Sequence, residues 1–193
     1  VYDKIATHPK VRFYGNVEFG KHLGLSDLKR FYHIIIFATG AQTDRKLGIP
    51  GEDLKGSHTA TEFVAWYNGH PDYRNLDFDL SVKRAVVIGV GNVAIDVARI
   101  LCLTEEELKE TDIADYALAA LNESEIREVY LLGRRGPMQA AFPNPEVREL
   151  GKMMDAHAVT LPHEVELDDE TRAELETSKD QSTINKIEIL KSF

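Results

Sequence analysis

The chain has 193 residues, 32 acidic against 23 basic side chains, a formal net charge of −9, and a single cysteine, Cys102. That length holds one domain, or one domain with part of another, and the acidic balance argues against a general nucleic-acid surface. A lone cysteine excludes an intramolecular disulfide and a thiolate metal cluster. No apolar run reaches a bilayer span and "VYDKIATHPK" has no apolar leader core, so the expectation is a cytoplasmic protein without a membrane partner.

In chain order, "VRFYGNVEFG" (11–20) reads as two strand-like pieces around a Gly15-Asn16 turn. "SDLKRFY" reads as a short helix capped by Ser26. "YHIIIFATG" is too short and too β-branched for a helix and reads as a buried strand. "IPGEDLKGSH" is loop, and "TATEFVAWYNG" is a helix closed by Asn68-Gly69. A polar connector leads to a strand at 84–89 and a helix from Asn92 to Leu103. An acidic helical insertion follows at 104–124, and a second buried strand, "REVYLLGRRGP", leaves at Gly133. "NPEVRELGKMM" reads as helix with Asn144 as N-cap and Pro145 in the first turn. "AVTLPHEVEL" reads as a strand, and from Asp168 the chain is acidic and polar. Strand, turn, helix and strand over 84–133 form a βαβ unit, which makes the fold class α/β with a parallel sheet.

The turn in that unit is "GVGNVA". Gly89 lets the strand turn sharply, Gly91 lets a pyrophosphate approach the backbone, and Ala94 lets the helix pack close on the strand. The helix start at Asn92 and Val93 offers free N–H groups and a positive dipole end. Such a turn suits a dinucleotide. At the end of the second strand, NAD binders place a carboxylate on the ribose 2′-hydroxyl. Here Arg134 and Arg135 stand at that place, and guanidinium groups bind a 2′-phosphate. The residues therefore point to NADP rather than NAD. The interval from the glycine turn is more than twice the usual value of about 20 residues, and the insertion at 104–124 accounts for the excess if it loops out.

"AVVIGVGNVAIDVARIL", "TDIADYAL", "GRRGPMQAAF" and "EFVAWYNG" together resemble the NADP-binding domain of the adrenodoxin reductase-like ferredoxin–NADP reductases, over residues 11 to 150. The resemblance implies a Rossmann-like domain of an FAD enzyme that passes electrons between NADPH and a ferredoxin or similar iron–sulfur protein. It implies that Val90, Gly91, Asn92 and Val93 hold the phosphates and that Arg134 and Arg135 hold the 2′-phosphate. Glu146 falls near the nicotinamide, although Pro143 and Pro145 around Asn144 depart from the family pattern. Val17, in "FYGNVEFG", falls at the adenine end of FAD. Residues 1–40 would be the tail of the FAD domain and 41–193 a truncated NADP domain.

The first residue is Val1, the last stretch is the apolar-alternating "INKIEILKSF", and the family's N-terminal FAD fingerprint does not appear. The chain is thus expected to be a piece of a longer reductase that binds NADP(H) and catalyses nothing alone. Hydride transfer between cofactors requires no catalytic acid, base or nucleophile from these residues. The absence of C-x-x-C separates the chain from thioredoxin reductase-like flavoproteins, and Cys102 is assigned to packing. The seven histidines show no metal spacing. Arg148 is a candidate contact for an acidic ferredoxin. Two alternatives stay open: an NADP domain similar to the glutamate synthase small subunit, and a non-catalytic NADP-sensing module.

Overall fold

Two five-residue segments, β1 (Arg84–Ile88) and β2 (Glu128–Leu132), pair in parallel, with Arg84 opposite Glu128 and Ile88 opposite Leu132. Parallel strands need a crossover between them, and the 39 residues at 89–127 supply it. The computed structural model describes residues 2–41, 43–178 and 180–193. They fall into two units, 1–42 and 43–193.

The first unit carries α1 (Tyr2–Ala6) and α2 (Leu25–Lys29) joined by irregular chain and turns. The turn at Gly15-Asn16 forms, with Asn16 in the left-handed region at φ 55°. The strands expected on either side of it, and at 34–40, do not form; a single bridge joins Phe19 and Leu23. Ile34 and Ile36 are 79% and 82% exposed. A strand is stable only when its amides and carbonyls pair with a neighbour, and no described residue of this unit pairs with 34–40. Ser26 lies inside α2 rather than before it. Gly24 caps the helix, its N–H donating to the Asp27 carboxylate at 2.8 Å.

In the second unit, α3 (Ala60–Tyr67) starts at a Thr59–Glu62 capping box and ends at Asn68, with Gly69 at φ 78°. α4 (Asn92–Cys102) follows β1. Ile95 and Val97 are two residues apart, about 200° around a helix, so α4 feeds two cores from opposite sides. On one side Val97 joins Phe63, Trp66, Leu108, Ala117 and Leu121. On the other, Ile95 joins Ala140, Phe142 and Val147. Ala85 and Val87 of β1 are half-buried, while Val86, Ile88, Tyr130 and Leu132 point to the opposite face and stay half-exposed. β2 is therefore covered on one face, not buried on both.

The acidic insertion does not loop out. Its helices α5 (Glu105–Lys109) and α6 (Asp115–Asn122) place Leu108, 1% exposed, and the fully buried Ala117 into the first core. α7 (Asn144–Glu149) begins one residue earlier than expected, with Pro143 as N-cap and Asn144 as its first residue. The strand expected at 158–167 is replaced by α8 (Pro162–Val165), because proline fits the first turn of a helix and cannot donate to a sheet. The polar region beyond forms α9 (Asp169–Ser178) and α10 (Gln181–Lys191). No helix among the described residues is long and apolar enough to cross a membrane.

Glu107 ties α5 to the chain after α7. Its carboxylate accepts from the Thr104 N–H and hydroxyl, both at 2.9 Å, and from the Met154 N–H at 3.0 Å. Burial pushes this carboxyl up, and the hydrogen bonds outweigh it and hold it below the ordinary value. A carboxyl lowered by folding contributes stability above its unfolded pKa and loses it as the pH falls through the folded one. Wild type is therefore expected to exceed Glu107→Gln in stability most near neutral pH. Urea denaturation across pH should show the two converging below about pH 4.

Candidate functional site

The site is assembled where β1 and β2 end side by side. The Gly89 N–H donates to the Leu132 carbonyl at 2.9 Å, extending the ladder by one bond. Gly89 then turns at φ 143°, a conformation that favours glycine. A Cβ there would lie 3.6 Å from the Ala94 Cβ, so the small third residue of the motif is what the turn packs against.

Val90 and Gly91 complete the turn into α4. The half-buried Val90 accepts at its carbonyl from the Ala141 N–H, at 2.8 Å. Its side chain rests on Gly133, where an added Cβ would come within 2.7 Å of Val90 Cγ1. Gly91 is the N-cap of α4, at φ −111°, and no heavy atom lies within 4 Å of the Cβ it lacks.

The helices of the second unit start in two ways, with a side-chain cap or, as in α4, α6, α7 and α8, without one. α3 and α5 both begin with a Thr hydroxyl accepting a first-turn amide and a Glu returning the bond. α4 has no side-chain cap. The first amides of a helix have no partner within it, and those at Asn92 and Val93 have none among the described residues. Both residues are exposed. Unpaired amides at the positive end of a helix dipole form an anion site.

Arg134 and Arg135 follow β2 at the same edge of the sheet. Both are exposed, and neither makes a hydrogen bond or ion pair among the described residues. By contrast, Lys83 pairs with Glu125 at 2.6 Å and Arg84 with Glu128 at 2.9 Å at the other end of the strands.

Glu146 lies in the first turn of α7, next to Val147, which packs with Ile95 of α4. Its Oε2 is buried without a hydrogen-bond partner, as is Oδ1 of Asn144. Buried acceptors are nearly always satisfied, so these two are open to a bound group. Arg148 is exposed two residues further on. Val17 belongs to the first unit and is 48% exposed. Cys102 is half-buried, and burial pushes its thiol up. Among the described residues, no three of His, Cys, Asp and Glu gather as a metal ion would need.

Four further residues lie outside the glycine-turn and arginine motifs. Gly133 reads in sequence only as the exit of a strand. Ala140 and Ala141 stand in the "GRRGPMQAAF" stretch but carry no chemical signal of their own, because what they offer the turn is main chain. Lys186 stands in the polar C-terminal stretch, where the helical spacing of Ile184, Ile187 and Leu190 could have revealed α10 but not the burial of a lysine on it.

No family model matches the chain. It is 47% identical to the mitochondrial NADPH:adrenodoxin oxidoreductase of Arabidopsis thaliana, over 95% of this chain and 38% of that protein. A probable ferredoxin/ferredoxin–NADP reductase of Mycobacterium tuberculosis is 49% identical, over 100% of this chain and 33% of the relative. Among solved structures, Mycobacterium tuberculosis FprA in complex with NADPH matches with a TM-score of 0.87 and 46% identity, over 99% of this chain and 42% of that one. The chain thus spans well under half the length of these relatives. At this level of identity and structural agreement, the chain is similar over essentially all of its residues to one segment of the adrenodoxin reductase-like ferredoxin–NADP reductases.

Proposed function

We propose that this chain is the NADP(H)-binding part of a ferredoxin–NADP reductase, with a Rossmann-like domain over residues 41–193 and the tail of an FAD-binding domain over residues 1–40. The observation that carries the proposal is the uncapped start of α4 at the same end of the sheet as two arginines that are unpaired among the described residues. Amides at Gly91, Asn92 and Val93 suit the pyrophosphate, and the space beside Gly91 admits it. Arg134 and Arg135 suit the 2′-phosphate, which distinguishes NADP from NAD. The orphaned Oε2 of Glu146 is an acceptor for the nicotinamide carboxamide. Val17 is assigned to the adenine end of FAD.

The bound cofactors supply the redox chemistry, a hydride passing from NADPH to FAD and electrons then leaving singly to a ferredoxin or similar iron–sulfur protein. The contribution of these residues is to hold and orient NADP(H). Arg148 offers an exposed positive charge to an acidic partner on an otherwise acidic chain.

Calorimetric titration of the natural full-length polypeptide carrying this sequence tests the proposal. NADPH is expected to bind more tightly than NADH. Arg134→Ala and Arg135→Ala should each cost about 1.5–3 kcal/mol of NADPH binding and leave NADH unaffected. Equal affinity for the two nucleotides in the wild type would overturn the reading. The two glycines should separate binding from folding. Gly91→Ala is expected to change stability by under about 0.5 kcal/mol, because its Cβ meets nothing, while NADPH affinity falls about tenfold or more. Gly133→Ala, which drives a Cβ into Val90, should instead destabilise the fold by about 1–3 kcal/mol in urea denaturation.

A further inference from the structure

Lys186 is the one charged residue among the buried side chains described, at 9% exposure; it forms no direct ion pair among the described residues, and the Asp180 carboxylate at the start of α10 feels its charge only from beyond contact distance. Its Nζ donates to the Ala140 carbonyl and lies 5.7 Å from the centroid of the Phe142 ring. Burying an ammonium without a carboxylate in direct contact is costly, and lysines on helices ordinarily extend to water.

The bond it makes leads to the glycine turn. The carbonyl of Ala140 and the N–H of Ala141 belong to one peptide group, which is trans, so they point in opposite directions. That N–H donates to the Val90 carbonyl at 2.8 Å. The Val90 carbonyl in turn shares a trans peptide with the Gly91 N–H, which has no acceptor among the described residues. Lys186, the 140–141 peptide and the 90–91 peptide therefore form one head-to-tail line of donors ending at an open amide. Each link polarises the next in such a chain.

We infer that Lys186 is a positioning residue for the dinucleotide. Its charge, carried through two peptide dipoles, strengthens the Gly91 N–H as a donor to the pyrophosphate and fixes its direction. The inference rests on the NADP reading above.

The test compares NADP+ with adenosine 2′-monophosphate, which carries the 2′-phosphate and no pyrophosphate, by calorimetry on the natural full-length polypeptide. Lys186→Met is expected to weaken NADP+ about fivefold or more and to leave adenosine 2′-monophosphate unchanged. Lys186→Arg should restore most of the loss. Lys186→Gln keeps a neutral donor for Ala140, guards against a methionine variant that does not fold, and should show the same selective loss. If wild type binds NADP+ and the Met and Gln variants bind both ligands as well as it does, the inference falls. It also falls if the variants lose both ligands in proportion, since that marks a purely structural role. A wild type that does not bind NADP+ overturns the reading beneath it.

Discussion

The carbonyl of Val90 accepts the amide of Ala141, and the geometry around the start of α4 follows from that bond. A turn of two glycines is the most mobile kind of backbone. Left to itself it would not hold its amides in one direction. Here it is held on three sides: by Leu132 through the Gly89 amide, by Gly133 through the Val90 side chain, and by Ala141 through the Val90 carbonyl. The cost of ordering the turn is met by the fold and not by the ligand, which is what preorganisation means for a binding site.

The supports of the turn come from distant parts of the chain. Ala140, Phe142 and Val147 pack against Ile95, and Ile189, Leu190 and Phe193 of the C-terminal region pack on the same cluster. Asn144 donates to the Ser182 carbonyl at 3.0 Å, a second tie between α7 and α10. The C-terminal region, which looks like a featureless acidic stretch, is thus the backing of the site. A close-packed cluster of this kind transmits displacement rather than absorbing it, so changes on α10 should be felt at the glycine turn.

Charge is divided in the same way. The chain carries nine more acids than bases, and many of its cations are paired at the surface. Exposed pairs of that sort contribute little to stability. The two arginines after β2, unpaired among the described residues, lie at the same end of the sheet as the uncapped amides of α4, so positive groups gather there on a chain that is negative as a whole. Ligand attraction depends on the local field.

The sequence alone determined the parts whose signals are local. A five-residue β-branched run, two glycines at fixed spacing, a helix start and an arginine pair could be read in order, because each depends on neighbours a few residues away. The α/β class and the family resemblance came with them. What the tertiary structure decided is where pairing and burial involve residues far apart. "YHIIIFATG" has every local property of a strand yet forms none and is largely exposed, because strand formation requires a partner's hydrogen bonds. The insertion at 104–124 looks like a loop excursion by its charge, yet Leu108 and Ala117 make it core, because a few apolar residues on one helical face suffice to bury it. The line from Lys186 to Gly91 has no sequence signature, since two of its links are main-chain groups common to every residue and only the fold brings them into line.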